Sequence, residues 1–177
     1  MTKNIDFGKT QDLGDRLNPH HGRFFNGIKE ILVPTDLTVE SRKTIKYAIT
    51  FALLSGAHLT LLHAYEQPYN LSYLRGGYVY DAIEEHRKDR ERLLQVLGED
   101  TRKEYANCST AFRRGRHCEE IVKAVKDLQT DLMIMGTHGD KYFQRIAYGS
   151  DTKAIVRRAA CPVLVLREHD KHLGNLN

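Results

Sequence analysis

The sequence predicts an α/β fold, a five-stranded doubly wound parallel sheet, on three observations. Short apolar runs of strand length alternate with longer stretches of helical periodicity. The strand runs are apolar on both faces, as strands covered by helices on each side require. Right-handed crossovers between parallel strands leave few topologies, the doubly wound order foremost. At 177 residues the chain is about one domain long and can bury roughly 70% of its unfolded surface.

The first strand is the run Ile31-Leu32-Val33, which Pro34-Thr35-Asp36 turns into a loop. A helix follows, with Thr38 as its N-cap and Glu40 in its first turn. Ile45, Ala48, Ile49, Ala52 and Leu53 give it one apolar face, and Gly56 stands where a C-terminal cap is expected. The second strand runs from Ala57 to Ala64. The segment from Tyr65 to Tyr80, with Pro68, Gly76, Gly77 and five tyrosines, reads as a long loop. A charged helix is expected from Val79 to Leu97, apolar at its two ends, with its charged middle solvated and Gly98 ending or bending it. Cys108 to Phe112 is a weaker third strand, and Gly115-Arg116-His117 leads into a helix with Ile121, Val122, Val125 and Leu128 inward. Leu132 to Met135 is a fully apolar fourth strand. The last helix starts at Ser150 and buries Ile155, Val156 and Ala159, and the last strand is Pro162 to Leu166. Residues 1–26 are polar and without period, a flexible extension by composition, with His20-His21 as a weak metal handle. The domain is expected over 27–168, with a short C-terminal tail over 169–177.

Composition narrows the function classes. Apolar runs fall far short of the ~18–20 residues a membrane span needs. The first residues lack the apolar core of a secretory signal and carry three Asp. Net charge is +4, below the usual signature of a nucleic-acid binder, and the one tight basic cluster, Arg113, Arg114 and Arg116, reads as a solvated loop rim. Cys108, Cys118 and Cys161 are an odd count with no C-x-x-C pair. They read as reduced thiols of a cytoplasmic protein rather than as a disulfide frame or zinc site.

In doubly wound sheets ligands bind outside the carboxyl ends of the strands, where the strand order reverses. Pro34-Thr35-Asp36 falls there, and so does the loop after the fourth strand. That loop carries Gly136-x-x-Gly139, nine residues, then Gly149-Ser150 opening a helix. Gly136 and Gly139 let a ligand approach the backbone, and a helix N-terminus with a serine hydroxyl favours an anion. The spacing is neither a P-loop nor the G-x-G-x-x-G fingerprint. Two readings stand side by side: a phosphate cradle, or glycines that only end a strand and cap a helix.

These residues, together with Leu61-Leu62-His63-Ala64 and Cys161-Pro162-Val163-Leu164-Val165, resemble the universal stress protein family from about Ile28 to Arg167. The full glycine motif resembles that of the family's ATP-binding branch. The resemblance implies a three-layer α/β/α, nucleotide-binding α-hydrolase-like fold of strand order 3-2-1-4-5. It also implies a homodimer and one ATP per subunit. By position, Pro34, Thr35 and Asp36 would line the adenosine end, Asp36 as a carboxylate acceptor, and Ala64 would offer backbone contacts to the adenine ring. Met135 and Gly136 would hold ribose and α-phosphate, and His138, Gly139, Gly149 and Ser150 would surround the phosphates.

Asp151 departs from the family, where an uncharged residue usually follows the Gly-Ser. An acid there favours the helix but repels a triphosphate unless Mg²⁺ lies between or the side chain turns away. One such charge pair at ~4 Å is on the order of 4 kcal/mol before screening. Lys141 and Arg145 are the cations at hand, and ADP or AMP stays open as the ligand. His138 invites a general-base role, and Asp36 and Asp151 invite metal ligation. Equally, His138 can donate to a phosphate, Asp36 can bind ribose or base, and Asp151 can cap a helix. With no arginine finger and no nucleophile–base pair, no catalytic or metal residue is assigned, and slow ATP hydrolysis at most is expected. His63, ending a core strand, reads as a buried, satisfied histidine. Three functions compete: a nucleotide-dependent stress-response or signalling module with an unidentified protein partner, a non-nucleotide dimeric interaction module pairing through Pro162 to Leu166, and an adenine-nucleotide hydrolase.

Overall fold

The computed structural model describes residues 27–67, 77–136 and 150–166. Nine elements follow in order: β1 (Glu30–Pro34), α1 (Ser41–Ser55), β2 (His58–Tyr65), α2 (Gly77–Glu104), β3 (Cys108–Arg114), α3 (His117–Asp127), β4 (Leu132–Gly136), α4 (Ser150–Arg158) and β5 (Val163–Leu166). All strand pairs are parallel, and the sheet order is β3-β2-β1-β4-β5. This is the expected doubly wound order, with the reversal between β1 and β4. No helix among the described residues is long and apolar enough to cross a membrane.

Alternation along the strands builds two cores. Ile31, Val33, Leu59, Leu61 and Ile134 face one side, where Ile45, Ala48, Ile49 and Ala52 of α1 and Leu94 and Leu97 of α2 cover them. Leu32, Leu62, Ala64, Met133 and Met135 face the other, under Ile121, Ala124 and Val125 of α3 and Ile155 of α4. Each fully buried aliphatic side chain stabilises the fold by about 1.5–3 kcal/mol. The entry to β1 is fixed by Asp131, whose Oδ2 accepts from the amides of Lys29 (2.7 Å) and Glu30 (3.0 Å). Tyr105, just past α2, donates its hydroxyl to the Ala57 carbonyl at 2.6 Å and so ties α2 to the end of α1. Gly56 caps α1 in the left-handed region (φ 71°), its N–H donating to the Ala52 carbonyl.

Several boundaries differ from the sequence expectation for identifiable reasons. The α-helix of α1 begins at Ser41, not at Thr38. Bonds from the Arg42 and Lys43 amides to the Val39 and Glu40 carbonyls form a tighter turn first, and Glu40 becomes the cap residue without a side-chain bond. Buried Ser41 and Thr44 shift the inward stripe of α1, so Leu53 is 46% exposed; Val156, one residue beyond Ile155, is equally exposed. Tyr65 belongs to β2 and Gly77–Tyr80 to α2, so the expected 65–80 loop is shorter at both ends, and 68–76 lie outside the described residues. The charged middle of α2 is not wholly solvated: Arg87 is buried, held by Glu84 and by Glu91 at 2.6 Å. The basic cluster is partly neutralised, Arg113 by Asp127 (2.9 Å) and Arg116 by Glu119 (3.3 Å). All three cysteines are free thiols, and burial pushes the Cys108 thiol up to about 11.

Gly98 does not end α2; the helix runs six residues past it. A Cβ at Gly98 would stand 2.4 Å from Thr110 Cγ2 of β3. The absent side chain lets the helix lie directly on the strand. Gly98→Ala should therefore destabilise by about 1–3 kcal/mol despite alanine's better helix propensity. In a Thr110→Ser background, which removes the opposing methyl, the loss should vanish or change sign, as read by denaturant melts.

His63 is the titratable group at the carboxyl end of the first core. It is 6% exposed, and its Nδ1–H donates to the Thr35 carbonyl at 2.8 Å. Burial lowers its pKa to about 4 against the hydrogen bond to the Thr35 carbonyl, which raises it; Arg90 and His117 add to the lowering and Asp36 opposes it. The unfolded chain then binds one more proton than the folded chain between about pH 6.5 and 4, so stability rises with pH across that window. Acidification from pH 7 to 4 should remove about 3 kcal/mol through this group. A matched His63→Asn series should lack that component, which urea melts at several pH values would show.

Candidate functional site

The crevice lies where the strand order reverses. β1 stays paired with β2 as far as Pro34↔Leu62, but its pairing with β4 stops at Leu32↔Met133. The two central strands thus diverge at their carboxyl ends. Around this opening stand Pro34, Thr35 and Asp36 after β1, Ala64 near the end of β2, and Met135 and Gly136 at the end of β4. α4 returns from β4 to the parallel β5 on the side faced by Ala64 and Met135. Its N-terminus at Ser150 therefore opens at the same end of the sheet. His138, Gly139 and Gly149, with Lys141 and Arg145, lie outside the described residues; Ser150 and Asp151 form the first turn of α4, their side chains also outside the description.

The β1–α1 loop is built from its own side chains. The Thr35 amide donates to the Leu62 carbonyl at 2.8 Å, extending the β1–β2 ladder by one rung. The Thr35 hydroxyl donates to Ser41 Oγ (2.9 Å) and accepts from the Leu37 amide (3.1 Å). Ser41 Oγ in turn donates to the Thr38 carbonyl at 2.7 Å. Asp36 Oδ1 accepts from the Thr38 amide (3.1 Å) and hydroxyl (2.7 Å), an Asx turn, and the Thr38 oxygen takes the Ser41 amide at 3.4 Å. Leu37 sits in the left-handed region at φ 67°, held there by these bonds. Thr35 is 1% and Asp36 6% exposed. Thr35 is thus the internal tie of the loop, while the buried Asp36 carboxylate is held in a turn by Thr38.

Ala64 and Met135 are also almost wholly buried, so anything they offer to the crevice they offer by backbone. Beyond Ala64, Glu66 Oε2 accepts from His117 Nδ1 at 2.8 Å and faces the His117 amide at 3.4 Å, setting a carboxylate on the first turn of α3. Sequence reasoning missed Ser41, the His63–Thr35 bond and the Glu66–His117 pair. Ser41 is only six residues from Thr35, but the other two contacts span 28 and 51 residues, and no local signal announces them. Of the assembled groups the carboxylates suit hydrogen-bond donors, and a helix N-terminus suits an anionic group. Among the described residues no group of three or more His, Cys, Asp or Glu is arranged to hold a metal ion.

Residues 27–167 match the model of the universal stress protein family. A universal stress protein of Methanocaldococcus jannaschii is 28% identical over 154 residues, covering 78% of this chain and 94% of that one. Among solved structures, the UspA protein of Lactobacillus plantarum superposes with a TM-score of 0.65 at 22% identity, over 79% of this chain and 98% of its own. A universal stress protein of Archaeoglobus fulgidus, solved in complex with dAMP, superposes with a TM-score of 0.54 at 16% identity, over 77% and 96%. The matched span takes in all nine elements and the crevice they form, and the chain belongs to the universal stress protein family.

Proposed function

We propose that this chain binds an adenine nucleotide, ATP first and ADP or AMP as alternatives, in the crevice between β1 and β4. On this reading it is a cytoplasmic, nucleotide-dependent stress-response module with slow hydrolysis at most. The observation that carries the reading is the start of α4 at Ser150, directly after the glycine motif and beside the opening where β1 and β4 diverge. A helix N-terminus there supplies unpaired amides and a favourable dipole for phosphate. The dAMP complex of the A. fulgidus relative supports an adenine and one phosphate as the minimal ligand. Asp36 and the backbone of Ala64 take the adenosine end, with Pro34 and Thr35 shaping it. Met135 and Gly136 take ribose and α-phosphate, and His138, Gly139, Gly149 and Ser150 take the phosphates. The site suits binding better than turnover, because the Asp36 oxygen that accepts from Thr38 is held in a turn. Mg²⁺, if it accompanies ATP, would shield Asp151 from the phosphates.

Calorimetry and thermal melts with ATP, ADP and AMP, each with and without Mg²⁺, test this. Ligand at 100 times its Kd should add about 2.7 kcal/mol of stability. Gly149→Leu should abolish the effect with the fold intact, and Asp151→Val should tighten ATP more than AMP when Mg²⁺ is absent. No heat and no stabilisation at millimolar nucleotide would overturn the proposal.

A dimeric assembly is favoured by β5. It is an edge strand of four residues, Val163, Leu164, Val165 and Leu166, all apolar and none fully buried. Pairing with its counterpart on a second copy, through Pro162 to Leu166, would cover that edge. Sedimentation equilibrium should then give twice the chain mass at micromolar protein, with or without nucleotide. A monomer would remove this component of the reading.

A further inference from the structure

We propose that His63 is a positioning residue: by occupying the Thr35 carbonyl it keeps the Ala64 amide off the β1–β2 ladder and leaves that amide to the ligand. The inference rests on the nucleotide reading above and adds to it a residue outside the contacting set.

In a strand, alternate residues present their N–H and C=O to opposite neighbours. The Leu62 carbonyl accepts from Thr35 on the β1 side, while the Tyr65 carbonyl accepts from Gly115 on the β3 side. Ala64, two residues after Leu62, therefore presents its amide and carbonyl toward β1. The next rung of a regular parallel ladder would run from the Ala64 amide to the Thr35 carbonyl. Among the described residues that rung is absent, and the carbonyl is held by the His63 imidazole at 2.8 Å instead.

A carbonyl oxygen can only accept, so His63 carries its proton on Nδ1. The ring is itself packed against Phe112, with centroids 5.8 Å apart, which fixes its orientation. The side chain thus ends the ladder one rung early. Buried backbone groups ordinarily find partners, and Ala64 is 3% exposed. Its amide and carbonyl, side by side at the crevice, form a donor–acceptor pair suited to the edge of a purine base. Thr35 is already bound through its amide and hydroxyl. Losing the imidazole would leave its carbonyl free to draw in the Ala64 amide and close the rung.

Two variants separate this role from simple packing. Asparagine places an amide donor where Nδ1 stands, and phenylalanine fills the volume with no donor. In His63→Asn, AMP affinity should stay within about threefold of the parent, and the Ala64 amide should exchange with solvent as quickly as before. In His63→Phe, AMP should bind at least tenfold more weakly, and exchange at Ala64 should slow as the rung forms. If His63→Phe does not fold, His63→Leu is read in the same way. Unchanged exchange at Ala64 in the donor-free variant, or unchanged AMP affinity there, would overturn the proposal. Failure of the parent protein to bind AMP or ATP would instead refute the nucleotide reading, while the exchange comparison, which needs no ligand, still decides the role of His63.

Discussion

The site depends on how a parallel ladder ends. β1 is central and bonds to a strand on each side, but its pairing with β4 stops two residues before its pairing with β2 does. The groups beyond that point must find other partners, and a buried amide or carbonyl without one costs about 1–3 kcal/mol. In this chain the partners are side chains: Thr35, Asp36, Thr38 and Ser41 bind one another and the loop backbone, and His63 takes the remaining carbonyl. The loop is therefore braced largely by its own side chains, whether or not a ligand is present. That preorganisation matters for binding, because ordering a loop on association would reduce affinity.

The same search for partners explains which features were legible in the sequence. Strand existence, parallel character and the order of elements follow from apolar runs and helical periods, which are local. The start of α4 at Ser150 and the left-handed cap at Gly56 were equally legible, since glycine and serine at those positions have few other uses. Leu53 and Val156 misled because helical spacing gives the relative angle of residues, whereas the neighbouring elements decide which angle points inward. Gly98 as a helix end misled for a related reason. Its cause is Thr110 on another element, and a glycine demanded by close approach looks in sequence like one demanded by a turn. Arg87 is buried because Glu84 and Glu91 bracket it on one helix face, a pairing the spacing contained but which composition alone read as solvated charge. The bond from His63 to Thr35 had no signal beyond a histidine at a strand end.

Membership in the family fixes the fold more firmly than the chemistry. Ala64 and Met135, at the ends of β2 and β4, are buried, so on the nucleotide reading proposed above specificity would fall on backbone groups and on a few polar residues. The sheet superposes on relatives of 22% and 16% identity, so the fold tolerates wide change in side chains; on the same nucleotide reading, a single position such as Asp151 would alter the preference among ligands. On that reading, a carboxylate in the first turn of α4 favours the helix itself and acts on the number of negative charges that the helix N-terminus can accept.

His63 joins stability and recognition in one group. A neutral imidazole with its proton on Nδ1 is the state that both survives burial and donates to Thr35. Protonation leaves that donor in place but puts a charge where Arg90 and His117 already repel one. Acid therefore weakens the fold around the crevice before it breaks the bond that shapes it. A phenylalanine would reverse the balance: the site would lose its acid sensitivity and, with it, the one donor that keeps the second strand's backbone open at the end of the ladder. Asparagine fills less of the space against Phe112, and apolar residues of the same volume offer the Thr35 carbonyl nothing. Histidine meets both demands, and acid sensitivity is the physical consequence of placing it there.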